Sequence, residues 1–203
     1  MIILASASPR REELLRALGV AYQVIPSLAE EGGPASDGTE RRAETLALRK
    51  ETEVAARVGE GLVLGADTIV ECDGRLLGKP RNPDEARRFL RQLSGRGHLV
   101  VTGLALVQAG GGRTETGHEV TEVRVRPLTS EEIDTYVQTG EPLDKAGGYA
   151  IQGAAGTFVE AIKGSFTNVV GLPLGRLRTL LLRFGIDPLD RPPTLGRIVT
   201  SDR

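Results

Sequence analysis

Cysteine and histidine are scarce in this sequence. Of its 203 residues, one is a cysteine, Cys72, and two are histidines, His98 and His118. A single cysteine excludes an internal disulfide framework, and so few cysteine and histidine side chains argue against a zinc site. Any bound metal would therefore be a hard cation held by carboxylates.

The chain also lacks an excess of charge and a long apolar run. The formal net charge is -1, so no overall basic field would attract nucleic acid or an anionic membrane. No stretch reaches the roughly 18 uninterrupted apolar residues of a membrane-spanning helix. The start MIILASASPRR places its charges after a very short apolar run, the reverse of a signal peptide. We therefore expect a cytoplasmic protein with no nucleic-acid or membrane partner.

The common phosphate-binding motifs are absent as well. No G-x-G-x-x-G occurs, and LLGKPRN lacks the upstream glycine and the following Ser or Thr of a P-loop. A phosphate site would have to be assembled from separated segments. The candidates are SPRR (8–11), Lys50, GADT (65–68), GKP (78–80), EPLDKAGGYAIQG (141–153) and GSFTNVVGLPL (164–174).

Strand-like and helix-like segments alternate along the chain, which favours an α/β fold. With 39% hydrophobic and 26% charged residues, the chain suits one compact unit or two small lobes. Asp73-Gly74 and the glycines at 110–112 each predict a hairpin, and Thr129 or Ser130 is expected to cap a helix that TSEEI opens. Strands are predicted at 1–5, 21–25, 62–66 and 98–108, and helices at 9–18, 39–58, 83–93 and 173–184.

The stretch LASASPRREELL contains a conflict with helix electrostatics. Ser8 suits an N-cap and Pro9 the first helical position, yet Arg10 and Arg11 then occupy a first turn where acidic residues are favoured. In one interpretation both arginines are solvated or pair with nearby glutamates. In the other, a phosphate ligand supplies the missing negative charge, because a helix N-terminus binds anions and arginine offers a bidentate fork. The motif alone leaves both open.

Two acidic positions are candidates for catalysis. Asp67 ends the apolar run GLVLGA, which predicts a carboxylate at the carboxyl end of a strand, where open α/β sheets place ligands. The structural alternative is an Asx-turn into the following hairpin. Glu31 lies in a loop rich in Gly, Pro and Ser, which is typical of solvated surface, and Lys79 before Pro80 is typical of a turn.

Five segments in order resemble the Maf family of nucleoside triphosphate pyrophosphatases. They are LASASPRREELLRALG, GADTIV, LGKP, TGEPLDKAGGYAIQG and GSFTNVVGLPL, and the resemblance runs from residue 3 to about 184. It implies an α/β fold with a mixed central sheet flanked by helices, in two lobes around a deep nucleotide-binding cleft, related to the inosine triphosphate pyrophosphatases. It also implies a single Maf-like domain over 1–187, followed by a Pro-rich tail at 188–203 that we expect to be poorly ordered.

The resemblance implies roles for individual residues. Asp67 matches the family's proton acceptor, and Glu31, Lys50 and Lys79 fall where the family has catalytic or phosphate-binding charges. Ser8, Arg10 and Arg11 fall in the first motif, where the two arginines are expected to meet the nucleotide. Arg10, Thr68 and Gln152 match the positions that distinguish the dTTP/UTP branch from the methylated-GTP branch, whose first motif typically carries Trp after SP.

The expected reaction is hydrolysis of dTTP or UTP to the monophosphate and pyrophosphate. It needs an activated water, and positive charge to neutralise the negative charge that develops. A magnesium or manganese ion is expected to be held by Asp67 and Glu31. The amide of Gln152 offers a donor and an acceptor that match the O4/N3–H edge of uracil or thymine. The alternative is a non-hydrolytic nucleotide-binding regulator of septum formation, which would not need both carboxylates. The sequence leaves open whether the chain forms a homodimer.

Overall fold

The structure is a computed structural model that describes residues 1–29 and 38–190. Glu31 and the tail beyond residue 190 lie outside the described residues. The strands are β1 (Ile2–Leu4), β2 (Tyr22–Val24), β3 (Leu62–Cys72), β4 (Arg75–Leu77), β5 (Gly97–Gln108), β6 (Thr114–Val125) and β7 (Val159–Lys163). The helices are α1 (Pro9–Ala17), α2 (Thr39–Val58), α3 (Pro83–Leu93), α4 (Ser130–Gln138), α5 (Phe166–Val170) and α6 (Leu174–Arg183).

Local signals explain where several helices begin. The side chain of Asn82 accepts from the amide of Glu85 and caps α3, where Pro83 follows as the first helical residue. Thr129 and Glu132 form a capping box at α4, which confirms the prediction of a normal helix start there. Short 3₁₀ turns occupy Glu141–Asp144, Ala146–Gly148, Ala154–Phe158 and Pro188–Asp190.

The strands form one mixed sheet in the order β2-β1-β3-β5-β6-β7, with β4 added to β3. β1 pairs in parallel with β2 and β3, whereas β4 is antiparallel to β3 and β7 is antiparallel to β6. The hairpin predicted at Asp73-Gly74 is confirmed, since both residues have positive φ and connect β3 to β4. The predicted mixed sheet flanked by helices is therefore confirmed.

The chain divides into two compact units, each with its own core. Unit 1 comprises Met1–Asp67, Thr102–Glu119 and the chain from Gly171, and unit 2 comprises Thr68–Val101 and Val120–Val170. In unit 1, alternate residues of β3 enter two clusters: Leu62, Leu64 and Ala66 pack with α1 and α6 residues, and Val63 packs with Val54 of α2. In unit 2, one cluster joins α3 and α4 to the strands, with Phe89, Leu90, Ile133 and Tyr136 among its members.

Three details differ from the sequence-based predictions. Asp67 does not end a strand or form an Asx-turn, because β3 continues past it and pairs with β4 at Val70–Cys72. β7 was not predicted, since its five residues VEAIK carry a weak alternation and pair only along β6. Part of the segment expected to be a loop, GSFTNVVGLPL, forms the short helix α5.

Within the described ranges, the helices are too short or too polar to cross a membrane.

Candidate active site

Lys50 and Asp67 form a direct ion pair. Lys50 Nζ lies 2.6 Å from Asp67 Oδ1, and the two side chains are only 12% and 16% exposed. Lys50 belongs to α2 and Asp67 to the middle of β3. Because a helix and a strand carry the two groups, the carboxylate is held in a fixed position. The second oxygen of the carboxylate takes no part in the bond to Lys50.

Close packing of α2 on β3 brings the pair together. Gly65 lies two residues before Asp67, so the two positions share one face of the strand. A Cβ at Gly65 would collide with the carbonyl oxygen of Ala47 and lie 2.8 Å from Glu51 Cβ. The helix backbone thus approaches the strand more closely than any side chain at position 65 would permit.

Glu51 is a buried acid that sequence reasoning missed. Its side chain is fully buried, and neither carboxylate oxygen has a hydrogen-bond partner among the residues that the structure describes. Burial raises the pKa of Glu51 to about 7. The periodicity of α2 could have revealed it, because Glu51 falls on the buried stripe with Leu46, Ala47 and Val54.

The donor chemistry of Asp67 fits a hard divalent cation. One carboxylate oxygen accepts from Lys50, and the other can serve as a ligand, while such ions take one or two carboxylates and complete their shell with phosphate oxygens and water. The second predicted ligand, Glu31, lies outside the described residues. Within 1–29 and 38–190, no three His, Cys, Asp or Glu side chains are grouped to hold a metal.

The N-terminus of α1 carries Ser8, Arg10 and Arg11, as predicted. The contacts of Ser8 and Arg11 differ from those expected from the sequence. Ser8 is the N-cap residue, yet its side chain makes no capping hydrogen bond. The guanidinium of Arg11 donates from Nε to the carbonyl oxygen of Gly171 at 2.8 Å and from a terminal nitrogen to Ser6 Oγ at 3.1 Å. Arg11 therefore joins α1 to the segment that precedes α6, and the solvated interpretation of this residue is wrong. Arg10, at the second helical position, is half-buried and also has an interaction partner.

In unit 2, the other predicted residues lie on β3 and on two neighbouring loops. Thr68 follows Asp67 in β3, whereas Lys79 and Gln152 are exposed loop residues. The amide of Gly147 donates to the carbonyl oxygen of Gly78 at 3.1 Å, which joins the loop of Lys79 to the loop of Gln152. The loop of Gln152 has a further buried anchor, because Tyr149 Oη lies 2.8 Å from His98 Nε2.

Burial keeps the His98 anchor neutral. His98 is 3% exposed, and burial lowers its pKa to about 4. A neutral ring can hydrogen-bond to the Tyr149 hydroxyl without placing an unpaired charge in the core. Neither His98 nor Tyr149 was singled out from sequence, and a lone histidine at a strand start offers no local signal of such a partner.

These features define an α/β protein with a lysine–aspartate pair at the centre of its sheet. The fold is similar to that of the Ham1 protein from Staphylococcus aureus, with a TM-score of 0.50 and 15% sequence identity over 90% of this chain and 98% of that one. At that identity the likeness concerns the fold alone.

The chain belongs to the Maf-like protein family, whose sequence pattern it matches over residues 1–184. It is 50% identical to the dTTP/UTP pyrophosphatase of Moorella thermoacetica, over 92% of this chain and 96% of that protein. It is 47% identical to the dTTP/UTP pyrophosphatase of Desulforamulus reducens, over 92% of this chain and 97% of that protein. It is 48% identical to the dTTP/UTP pyrophosphatase of Bacillus cereus strain B4264, over 92% of this chain and 96% of that protein. The family predicted from the five segments is confirmed.

Proposed function

We propose that this protein hydrolyses dTTP and UTP to the nucleoside monophosphate and pyrophosphate. The observation that carries the proposal is the Lys50–Asp67 pair at 2.6 Å, in a family member whose relatives at 47–50% identity are dTTP/UTP pyrophosphatases. The substrates are cellular nucleotides, so we place the activity in the cytoplasm.

Asp67 is the proton acceptor in this reaction. A water oxygen attacks the α phosphorus, the bond from that phosphorus to the bridging oxygen breaks, and pyrophosphate leaves with the bond's electrons. The proton of the water passes to one lone pair of the Asp67 oxygen that Lys50 does not hold, and the second lone pair of that oxygen stays available to a metal ion. Lys50 keeps the carboxylate in one orientation and adds positive charge where negative charge develops.

Asp67, with Glu31 as the second carboxylate, would hold a magnesium or manganese ion. When bound, such an ion would supply positive charge to the phosphate oxygens. Lys79 and Arg10 are proposed to contact the phosphates, and Ser8 to line the same site. Arg11 contributes positive charge from the N-terminus of α1, where its guanidinium already donates hydrogen bonds to Gly171 and Ser6.

Gln152 is proposed to recognise the base, together with Thr68 and Arg10. Its exposed primary amide presents one donor and one acceptor side by side, which matches the O4 and N3–H of uracil and thymine. A purine presents a larger ring with a different edge and would leave those groups unpaired.

The test is release of pyrophosphate from a panel of nucleoside triphosphates with magnesium. The wild type should prefer dTTP and UTP over ATP, GTP and methylated GTP. Asp67→Asn should lose about 100- to 10,000-fold in turnover, because the amide keeps the shape of the side chain but cannot accept the proton. Asp84→Asn, at a carboxylate that is 94% exposed on α3, is the control and should retain full activity.

Two results would contradict the proposal. Preference for methylated GTP would overturn the pyrimidine assignment. Binding of dTTP without turnover by the wild type would favour the non-hydrolytic regulator instead.

A further inference from the structure

The backbone on either side of Gln152 is held by one pair of side chains. Before Gln152, the amide of Ala150 donates to the Tyr136 hydroxyl at 3.1 Å. That hydroxyl in turn donates to Glu141 Oε1 at 2.8 Å. After Gln152, the amide of Ala154 points to Glu141 Oε2 at 3.4 Å. The phenol and the carboxylate therefore contact the chain two residues before and two residues after the proposed base-reading amide.

The contact at Gly153 shows how closely the carboxylate lies against this backbone. A Cβ built on Gly153 would overlap the Glu141 carboxylate, whose Cδ would be 2.5 Å away. The φ of Gly153 is -101°, which other residues adopt without strain, so backbone conformation does not explain the glycine. The carboxylate fills the space that a side chain at position 153 would need.

The phenol of Tyr136 is suited to act as a fixed donor. Tyr136 is 3% exposed and packs edge-on against Phe158, with ring centroids 5.2 Å apart. Burial, together with the hydrogen bond to Glu141, raises the pKa of Tyr136 above its usual range. The hydroxyl thus keeps its proton near neutral pH and can donate to Glu141 while it accepts from Ala150.

Gln152 itself is exposed, in contrast to this buried support. The side chain of a glutamine has three rotatable bonds, so its amide can match a base edge only if the backbone beneath it is fixed. We propose that Tyr136 and Glu141 are positioning residues that hold the Ala150–Ala154 segment so that Gln152 selects a uracil or thymine base. The inference rests on the proposed function, in which Gln152 reads the base.

Two readouts test the proposal, and one of them does not depend on activity. Tyr136→Phe removes the hydroxyl and should speed hydrogen exchange at the amides of Ala150 and Ala154. It should also lower the ratio of kcat/KM for dTTP over CTP by about 3- to 10-fold, chiefly through a higher KM for dTTP. CTP is the informative competitor, because cytosine has the same ring size with the donor and acceptor reversed at that edge.

The chain offers a matched control and a conservative variant. Tyr22→Phe removes another buried hydroxyl, which donates to Glu12 at 3.1 Å in unit 1, and should leave the dTTP/CTP ratio unchanged. Glu141→Gln retains an acceptor for the Tyr136 hydroxyl and should retain most of the selectivity, whereas Glu141→Ala should match Tyr136→Phe.

The outcomes separate this inference from the function on which it rests. A wild type that does not hydrolyse dTTP would overturn the proposed function. An active wild type whose selectivity survives Tyr136→Phe, or falls equally in Tyr22→Phe, would overturn the positioning role. Unchanged exchange at Ala150 and Ala154 in Tyr136→Phe would overturn it as well.

Discussion

Two regions of this protein hold their candidate residues in different ways. Lys50 and Asp67 lie on a long helix and a long strand, and the contact of α2 with Gly65 brings them within 2.6 Å. Gln152 lies instead in a loop between two 3₁₀ turns, and the backbone of that loop is held by Tyr136 and Glu141. The acid–base group is thus fixed by backbone packing, whereas the base-recognition group is fixed by side chains that hydrogen-bond to a loop.

The comparison predicts unequal effects when a methyl group is added at two glycines. At Gly65 the new Cβ would collide with the backbone of Ala47, which cannot move without displacing α2. Gly65→Ala should therefore lower the free energy of unfolding by about 2–4 kcal/mol and abolish most of the activity. At Gly153 the three atoms nearest to the new Cβ all belong to the end of the Glu141 side chain, which can swing away. Gly153→Ala should therefore change selectivity more than stability.

Urea denaturation and dTTP turnover of both variants measure this difference. Gly175→Ala is the control, because Gly175 lies in α6 and, apart from its own helix turn, no described atom comes within 4 Å of the added Cβ; the variant should be neutral or slightly stabilising. Equal stability losses at Gly65 and Gly153 would show that the two regions are held in the same way.

A second prediction concerns Arg11, at the third position of α1. Arg11→Glu removes the hydrogen bonds to Gly171 and Ser6 and should lower stability by about 1–3 kcal/mol, although an acidic residue suits a helix N-terminus. Exposed Arg41 occupies the same position in α2, and Arg41→Glu should be stabilising by a few tenths of a kcal/mol. Thermal midpoints without ligand compare the two. An Arg11→Glu variant as stable as the wild type would mean that the contacts with Gly171 and Ser6 contribute nothing.

A third and smaller effect is expected for the pH dependence of stability. The pKa of Glu51 is raised to about 7 in the folded protein, so between its unfolded value of about 4.5 and 7 the folded state binds the extra proton. The free energy of unfolding therefore falls as the pH rises through this window. Glu51→Gln does not titrate in this window. The free energy of unfolding of the variant, minus that of the wild type, should therefore be about 1–2 kcal/mol larger at pH 8 than at pH 5. Urea denaturation at the two pH values checks the prediction, which a pH-independent difference would contradict.

Much of the fold could be predicted because its signals are local. The predicted helix at 39–58 coincides with α2, and the capping residues of TSEEI place the start of α4. The strand containing Asp67 was predicted too short, since its second half is stabilised by pairing with β4 rather than by an apolar pattern of its own. β7 depends in the same way on pairing with β6.

The candidate site was less accessible from sequence, because its contacts join distant residues. Arg11 and Gly171 are 160 residues apart, and no pattern near Arg11 indicates that carbonyl partner. The hydroxyl of Tyr136 and the carboxylate of Glu141 are close in sequence, yet their contact with the Ala150–Ala154 segment depends on how α4 packs. The resemblance to the family identified Asp67 and Gln152 as candidates, but only the packing shows what holds each one.

The most direct test of the account is hydrolysis of dTTP in ¹⁸O-labelled water, with the products analysed by mass spectrometry. Attack of a water on the α phosphorus, with its proton accepted by Asp67, predicts dTMP that carries one ¹⁸O and pyrophosphate that carries none. In Asp67→Asn the same labelled product should form at most one hundredth as fast, within the range of about 100- to 10,000-fold expected for loss of a general base. Formation of dTDP and orthophosphate, or of labelled pyrophosphate, would contradict the central claim.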